Sequence, residues 1–433
     1  MSEDDYIVIE IDADLADVKR SRTESATRRA PIGGTLSTDE VLVARPRDVP
    51  LDRYVSIASV ASHKEAADAR RDPRKLVARS IPVTVIQPLS AEEAGVSVTG
   101  DSVAAARNAK TSWGIPAVLG ERPRDLTGAG VKVAVLDTGI DANHPAFTEI
   151  QSSIAENRRN FTDGSDDDVD GHGTHCAGTI FGRDVDGVRI GVARGVTNIL
   201  IGKVIGDDGV GSTKSILDAL KWAHSEGANI ISMSLGFDFP KMQKRLMEQG
   251  HPPELATSIA LKAYRDNLRQ FETLAELLMQ ETDEHPGTVL VTAAGNESRR
   301  HLNPDFVIDV SIPAAAALDM ISVGAIMRSD LEGCRLNVAP FSNINPRVSA
   351  PGVEIVSAKK GGGLNALNGT SMACPHVAGV AALWWEWISG RNQGQVKAAD
   401  VRAQLRATAR DACFLPNVTL ADRGAGIVLG PQA

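Results

Sequence analysis

No run of apolar residues in this 433-residue chain approaches the length needed to cross a bilayer. Its first residues, MSEDDYIVIEIDADLADVKR, are acidic and lack the basic start, apolar stretch and small-residue cleavage site of a secretory signal. As written, the sequence predicts a cytoplasmic protein with no membrane partner, leaving secretion by another route open. Cysteine is scarce. Cys176, Cys334, Cys374 and Cys413 lie far apart and form no CxxC pair, which removes zinc ribbons and dithiol redox motifs. Buried free thiols are the better-supported reading. Basic charge is in deficit, with 46 Lys and Arg against 55 Asp and Glu and a net charge of −9, which argues against nucleic acid as a partner. No repeat of solenoid period is visible. What remains is an ordinary globular balance, 42% hydrophobic and 23% charged, long enough for a large core and one or two appendages.

The texture changes between about residues 105 and 130. Upstream, the short apolar runs YIVIEI, YVSIASVAS and IPVTVIQPL read as strands, and the Ala- and charge-rich stretch after His63 as a helix. Residues 1–105 therefore predict a small α+β domain, with residues 20–45 as a mobile loop. From Val131 onward, VKVAVLD, TNILIGKVI, ANIISMSLG, TVLVTAAGN and MISVGAI are short apolar runs with helical stretches such as STKSILDALKWAHSEG between several of them. That alternation predicts, for residues 106–433, a mostly parallel sheet covered by helices on both faces. Functional groups in such sheets gather at the carboxyl ends of strands, which directs attention to Asp137, Gly236 and Asn296.

Four segments carry chemistry. VAVLDTGID ends a strand with Asp137, DGHGTHCAG sets His172 between glycines, VTAAGNES ends a strand with Asn296, and GTSMACPHVAG holds Ser371 at the start of an apolar run. Each alone has a plainer reading: turn residues for Asp137, His172 and Asn296, and a helix-start hydroxyl for Ser371. Together they make one device. A serine hydroxyl needs an imidazole to take its proton, and the imidazole needs an acceptor on its other nitrogen. A tetrahedral oxyanion needs a donor, which Asn296 can supply together with a backbone N–H at a helix start.

In this order and in these words, the segments VAVLDTGID, GHGTHCAGT, TAAGN and GTSMACPHVAG resemble the signature motifs of the subtilisin-like serine proteases, the subtilases, over roughly residues 113–410. The resemblance implies a three-layer α/β fold with a mostly parallel central sheet. It assigns Asp137, His172 and Ser371 to a catalytic triad and Asn296 to the oxyanion site. SMSLG resembles the strand that pairs with substrate backbone and walls the S1 pocket, so Ser234, Leu235 and Gly236, with Ala294 and Gly295, are implied as substrate-binding residues. Residues 1–105 have the texture of that family's propeptide, with IPVTVIQPLSAEEAG as its last strand and exit toward the active site. An N-terminal segment of that kind would be an intramolecular inhibitor, cut in the polar connector beyond it. An accessory interaction domain is the alternative.

Other features fit less well. HGTHC offers His172 and His175 but no further ligand pair at zinc spacing, so no metal centre and no required cofactor are expected. Cys176 and Cys374 flank the implied base and nucleophile without a catalytic role. Asp166, Asp168, Asp170 and Gly171 open like an EF-hand loop, but Ala177 stands where a bidentate Glu belongs, leaving a solvated acidic loop. The usual calcium loop of the family is not supported in FGRDVDGVRIG, because Val185 and Ala146 stand where ligands would be. Asp184 and Asp186 remain available to a different calcium site. About residues 238–285 exceed the family's usual length. Leu255, Ile259, Ala263, Tyr264, Leu268, Phe271, Leu274 and Leu278 recur there at helical spacing, which predicts a helical hairpin at the cleft rim. The implied activity is endopeptidase hydrolysis through an acyl-enzyme on a protein or peptide substrate. Its rivals are a dedicated processing protease or transpeptidase acting on one partner, and an inactive binding module.

Overall fold

A computed structural model describes residues 6–12, 50–96, 100–329 and 336–433. The loop expected over residues 20–45 and Cys334 lie outside the described residues. Near the N-terminus, β1 (Tyr6–Ile11) runs antiparallel between β2 (Val55–Val60) and β3 (Lys75–Arg79). Helix α1 (His63–Ala69) starts at Ser62, whose hydroxyl accepts from Glu65 N–H while the Glu65 carboxylate accepts from Ser62 N–H. Strand alternation sorts β1 cleanly. Tyr6 and Val8 pack with Ala66 of α1 and Val77, while Ile7, Ile9 and Ile11 face the rest of the protein. Strand β3 was not anticipated, because Lys-Leu-Val-Ala-Arg is too short and too charged to stand out. After it comes β4 (Pro82–Val85), which leaves this sheet altogether.

The larger body is built on an eight-stranded sheet. Its strands are β5 (Lys132–Asp137), β6 (Arg158–Asn160), β7 (Asn198–Lys203), β9 (Ile230–Met233), β11 (Val289–Ala293), β12 (Ile321–Arg328), β13 (Leu336–Val338) and β14 (Val348–Pro351). The spatial order is β13-β12-β11-β9-β5-β7-β6, with β14 also paired to β12, and only β13 runs antiparallel. Val133 and Val135 turn toward one apolar cluster, shared with α3 (His172–Phe181) and α7 (Thr370–Arg391). Ala134 and Leu136 turn toward the other, shared with α4 (Thr213–Ser225) and α6 (Pro253–Met279). Both faces being covered explains why the central strands read as continuous apolar runs. Two short strands, β8 (Gly211–Ser212) and β10 (Leu235–Phe237), stand outside the sheet and receive β4 between them. No helix among the described residues is long and apolar enough to cross a membrane.

The segment from residue 238 does form a helical pair, α5 (Phe239–Glu248) followed by α6; seven of the eight expected positions pack on the core, and the face is shifted at its start, where Leu255 drops out, and widened by two amides. Leu255 is 46% exposed, whereas Ala256, Ala260, Ala263, Asn267, Gln270, Phe271, Leu274 and Leu278 are buried. The shift has a cause. Gln270 Nε2 donates to Ile7 O and Leu76 O, each at 2.8 Å, and Asn267 Nδ2 donates to Arg79 O at 2.8 Å. Two amides thus lie on the core side because strand carbonyls of β1 and β3 meet them there. Ile7, Ile9, Ile81 and Val83 join Leu217, Leu220, Phe271 and Leu274 in one apolar cluster, so the N-terminal sheet and the larger body share a core. Each such side chain contributes about 1.5–3 kcal/mol of transfer free energy when fully buried.

Removing the Gln270 amide leaves two strand carbonyls without their donor. Gln270→Ala should cost about 1–3 kcal/mol and speed hydrogen exchange in residues 6–11 and 75–79 more than in the central sheet. Unchanged exchange in those two strands would show that the amide does not hold them.

Candidate active site

Asp137 ends β5 and is buried, with Thr138 N–H donating to its Oδ1 at 2.8 Å. His172 is the first residue of α3, and its Nδ1 lies 2.7 Å from Asp137 Oδ1. The approach depends on glycine: a Cβ on Gly173 would stand 2.2 Å from Gly139 O. Burial disfavours the imidazolium of His172, but the Asp137 carboxylate and its hydrogen bond outweigh that and raise the pKa well above the ordinary 6.5. Cys176 Sγ lies 3.9 Å from the same Nδ1, and burial pushes that thiol up, so it stays neutral near pH 7.

Asp168 pins the two motifs together. Its Oδ1 accepts from Thr138 Oγ1 (2.8 Å) and Gly171 N–H (2.7 Å), and its Oδ2 from Thr174 N–H (2.9 Å) and Thr174 Oγ1 (2.6 Å). The solvated acidic loop expected from the sequence is therefore corrected at Asp168, which is buried because four donors replace its water. Lys203 holds the same loop from below, donating to Thr138 O at 3.0 Å and Asp167 O at 2.7 Å. Asp166 and Asp167 stay exposed. Asp184 and Asp186 pair with Arg194 (2.8 Å) and Arg107 (3.2 Å). Among the described residues, the group whose donor atoms cluster closely enough for a metal ion is Asp137, His172 and Cys176, whose first two members already bond each other.

Ser371 sits in the first turn of α7, fully buried, with Gly369 as N-cap; Pro375 lies inside the helix, and its missing N–H leaves Ser371 O without the usual donor one turn on. Its carbonyl accepts from Ser234 Oγ at 3.2 Å and from Cys176 Sγ at 3.4 Å, tying the α7 start to the residue between β9 and β10 and to α3. Asn296 follows β11. Its Oδ1 accepts from Thr370 N–H and Thr370 Oγ1, both at 2.9 Å, which fixes the amide so that Nδ2 points outward. His175 and His376 are also buried. Burial lowers their pKa values to about 3 and about 4, and their bonds to Ile355 O and Met372 O are packing contacts. Cys374, pushed up to about 12 by burial, is likewise inert.

A peptide strand from the chain itself crosses this site. β4 pairs antiparallel with β10, Val85 opposite Leu235 and Thr84 opposite Gly236, and Ile86 N–H donates to Ser234 O at 3.1 Å. Asn296 Nδ2 donates to Gln87 O at 3.0 Å, and Ser371 Oγ to Ile86 O at 2.6 Å. Leu89 N–H donates to Asn368 O at 2.9 Å, and Asn368 Nδ2 returns a bond to Leu89 O at 3.0 Å. Ser234, Leu235 and Gly236 thus meet a strand of the chain itself. Ala294 and Gly295 join through Val323, Asn343 and Thr370, and neither bonds the strand among the described residues. Sequence reasoning missed Asp168, Lys203, Asn368 and the β8 edge. Only Asn368 left a signal, standing directly before the Gly-Thr-Ser run.

A model of the Subtilase family matches residues 128–427. Subtilisin-like protease 6 of Trichophyton verrucosum is 33% identical over 285 residues, covering 63% of this chain and 57% of that protein. The protein of the same name from Trichophyton equinum is 32% identical with the same coverage, and that from Arthroderma gypseum 33% identical over 265 residues, 60% and 53% of the two chains. The chain spans little more than half the length of these relatives.

The four bonds to Asp168 predict a measurable contrast among the acidic residues of this region. Asp168→Ala should lower stability by about 1–3 kcal/mol in urea unfolding, because it strands buried donors. Asp184→Ala, which breaks an exposed pair, should stay within about 0.5 kcal/mol. Equal effects would show that the buried pin carries no special weight.

Proposed function

The chain belongs to the subtilase family, and from that membership we propose that it is a serine endopeptidase that hydrolyses protein or peptide substrates through an acyl-enzyme on Ser371. One observation carries the reading: a peptide backbone already lies extended along β10 with its carbonyls at Ser371 Oγ and Asn296 Nδ2. A substrate strand in that place would add to the β8–β10 edges by main-chain bonds, the mode by which sheet edges take up peptides.

In the proposed reaction, His172 Nε2 removes the Ser371 proton as Oγ bonds to the substrate carbonyl carbon. Asp137 keeps Nδ1 protonated and stabilises the imidazolium. Asn296 Nδ2 receives the oxyanion, already oriented by Thr370. The C–N bond then breaks as His172 gives its proton to the leaving nitrogen, and water repeats the sequence to release the acid and restore Ser371. Side chains and water suffice, so no cofactor is invoked. Residues 82–89 act on this reading as an intramolecular inhibitor, because they occupy the strand position that a substrate needs.

Saturating fluorophosphonate and long incubation should add one phosphonyl group to the full chain, located at Ser371 by peptide mass mapping and lost in Ser371→Ala. Labelling that persists at another serine in that variant would overturn the assignment.

The raised pKa of His172 sets a pH prediction. Only the neutral imidazole can accept a proton, so kcat/KM should rise with pH through a limb above 6.5. Asp137→Asn removes the charge that raises this pKa and leaves burial unopposed, moving the limb to lower pH. Turnover should fall by about 10⁴-fold as the tautomer is lost. A wild-type limb at or below the ordinary imidazole value would remove the coupling to Asp137 from the account.

A further inference from the structure

Acyl transfer needs the nucleophile and the oxyanion donor to act on one carbonyl group, Oγ at its carbon and the donor at its oxygen. Across this site they act on two. Ser371 Oγ donates to Ile86 O at 2.6 Å, while Asn296 Nδ2 donates to Gln87 O at 3.0 Å. The hydroxyl proton is thereby committed to a carbonyl oxygen, and His172 Nε2 is buried without a hydrogen-bond partner. Neither bond of the strand is set to react. Ile86–Gln87 has the nucleophile at its oxygen but not the donor. Gln87–Pro88 has the donor, and its leaving nitrogen belongs to a proline ring.

The division follows from one residue. The strand is anchored upstream by Ile86 N–H on Ser234 O and downstream by Leu89 N–H on Asn368 O. Residue 88 is a proline with no N–H to offer Asn368 O, and Leu89 makes that bond. The span between the anchors then holds one residue more. Gln87, confined to extended geometry by the proline after it, takes up the excess with its side chain exposed while Ile86 beside it is buried.

We propose that Pro88 makes residues 82–89 an inhibitory strand that the enzyme binds but does not cut, so that the N-terminal domain stays joined and activity appears only when the strand leaves the cleft. The proposal rests on the protease reading above. Two further features agree with retention. The connector beyond Leu89 carries helix caps where it is described: Ser90 and Glu93 cap the helical turn Ala91–Ala94 reciprocally, and Asp101 caps α2 (Ser102–Ala109). The N-terminal sheet also shares its apolar core with α4 and α6.

The test compares purified full chains by intact mass, fluorophosphonate labelling and hydrolysis of an unstructured peptide. Wild type should remain whole over days. Pro88→Ala restores an N–H for Asn368 O and lets Ile86 O move onto Asn296. The chain should then part between Ile86 and Gln87, Oγ bonding to the Ile86 carbon as the proton passes through His172 to the Gln87 nitrogen, and water releasing residues 1–86. The same substitution with Ser371→Ala should stay whole. Ile86→Glu, which sets a charge in a buried position, should unseat the strand and raise labelling and hydrolysis by about tenfold or more. Ile86→Ala should act in the same direction, and circular dichroism checks that both fold. Wild type that cuts itself within residues 86–88 overturns the proposal, as does an uncut Pro88→Ala beside an active Ile86→Glu. Folded Ile86 variants that never label at Ser371 overturn the protease reading, and the proposal with it.

Discussion

A Cβ on Gly173 would lie 2.2 Å from the carbonyl oxygen of Gly139, closer than any side chain tolerates. That contact lets the first turn of α3 rest on the turn after β5, and the rest of the site depends on it. With the backbones this close, His172 reaches Asp137 at 2.7 Å, Gly173 N–H reaches Thr138 Oγ1 at 2.9 Å, and Thr174 reaches Asp168. Any larger residue at 173 would push α3 outward, and the hydroxyl and carboxylate network would open together. The packing repeats further along. Gly178 meets Ser357 and Ala358, and Gly379 of α7 meets Val192, so both helices, which carry His172 and Ser371, seat by glycine contacts. A rigid site follows from close packing before any hydrogen bond is counted.

Burial then sorts the polar groups by what they find inside. His175 and His376 meet only backbone carbonyls, and desolvation keeps them neutral. His172 meets a carboxylate, which outweighs the same burial and raises its pKa instead. One residue type, three buried positions and two opposite shifts show that the neighbour decides. Lys203 is the counterpart on the cationic side, buried yet bonded to two carbonyls and paired with Asp207 at 2.8 Å. Charges are kept in this region only where each has a partner, as buried charge requires.

The candidate site was legible in the sequence because it is local. Strand ends followed by turn residues, and a helix start of small residues, announce Asp137, His172, Asn296 and Ser371 within runs of about ten residues. The parallel sheet was legible for the same reason, since β5, β9 and β11 are apolar on both faces. What the sequence hid is non-local. Asn267 and Gln270 read as the polar side of a helix until the carbonyls of β1 and β3, nearly two hundred or more positions away, are seen to meet them. Asp168 reads as one of several acidic residues until Thr138 and Thr174 close on it. The register of residues 82–89 is of the same kind. It is set by Ser234 and Asn368, and nothing within the segment except the missing N–H of Pro88 hints at it.

A tethered strand competes differently from a free inhibitor. Linked covalently to the body by a short connector, residues 82–89 face the cleft at an effective concentration in the millimolar range, whatever the protein concentration. A substrate at micromolar concentration must therefore bind about a thousandfold more tightly per contact surface, or arrive when the strand has withdrawn. The bonds of the strand at the centre are the weak part of its hold, because Ile86 O and Gln87 O are each satisfied by one side-chain donor rather than by a ladder. Its ends are the strong part: β4 is paired on both edges, to β10 and β8, and Leu89 is doubly bonded to Asn368. Opening from the Leu89 end breaks the two bonds to Asn368 and the single bonds at Gln87 O and Ile86 O, and lifts Ile86 from its buried position. Opening from the β4 end must also lift Val83 and Val85 out of the core that they share with Leu217 and Leu235. The cheaper motion frees Ser371, His172 and Asn296 without disturbing the N-terminal sheet, so on the proposed reading the site can open and close while the two halves of the molecule stay docked.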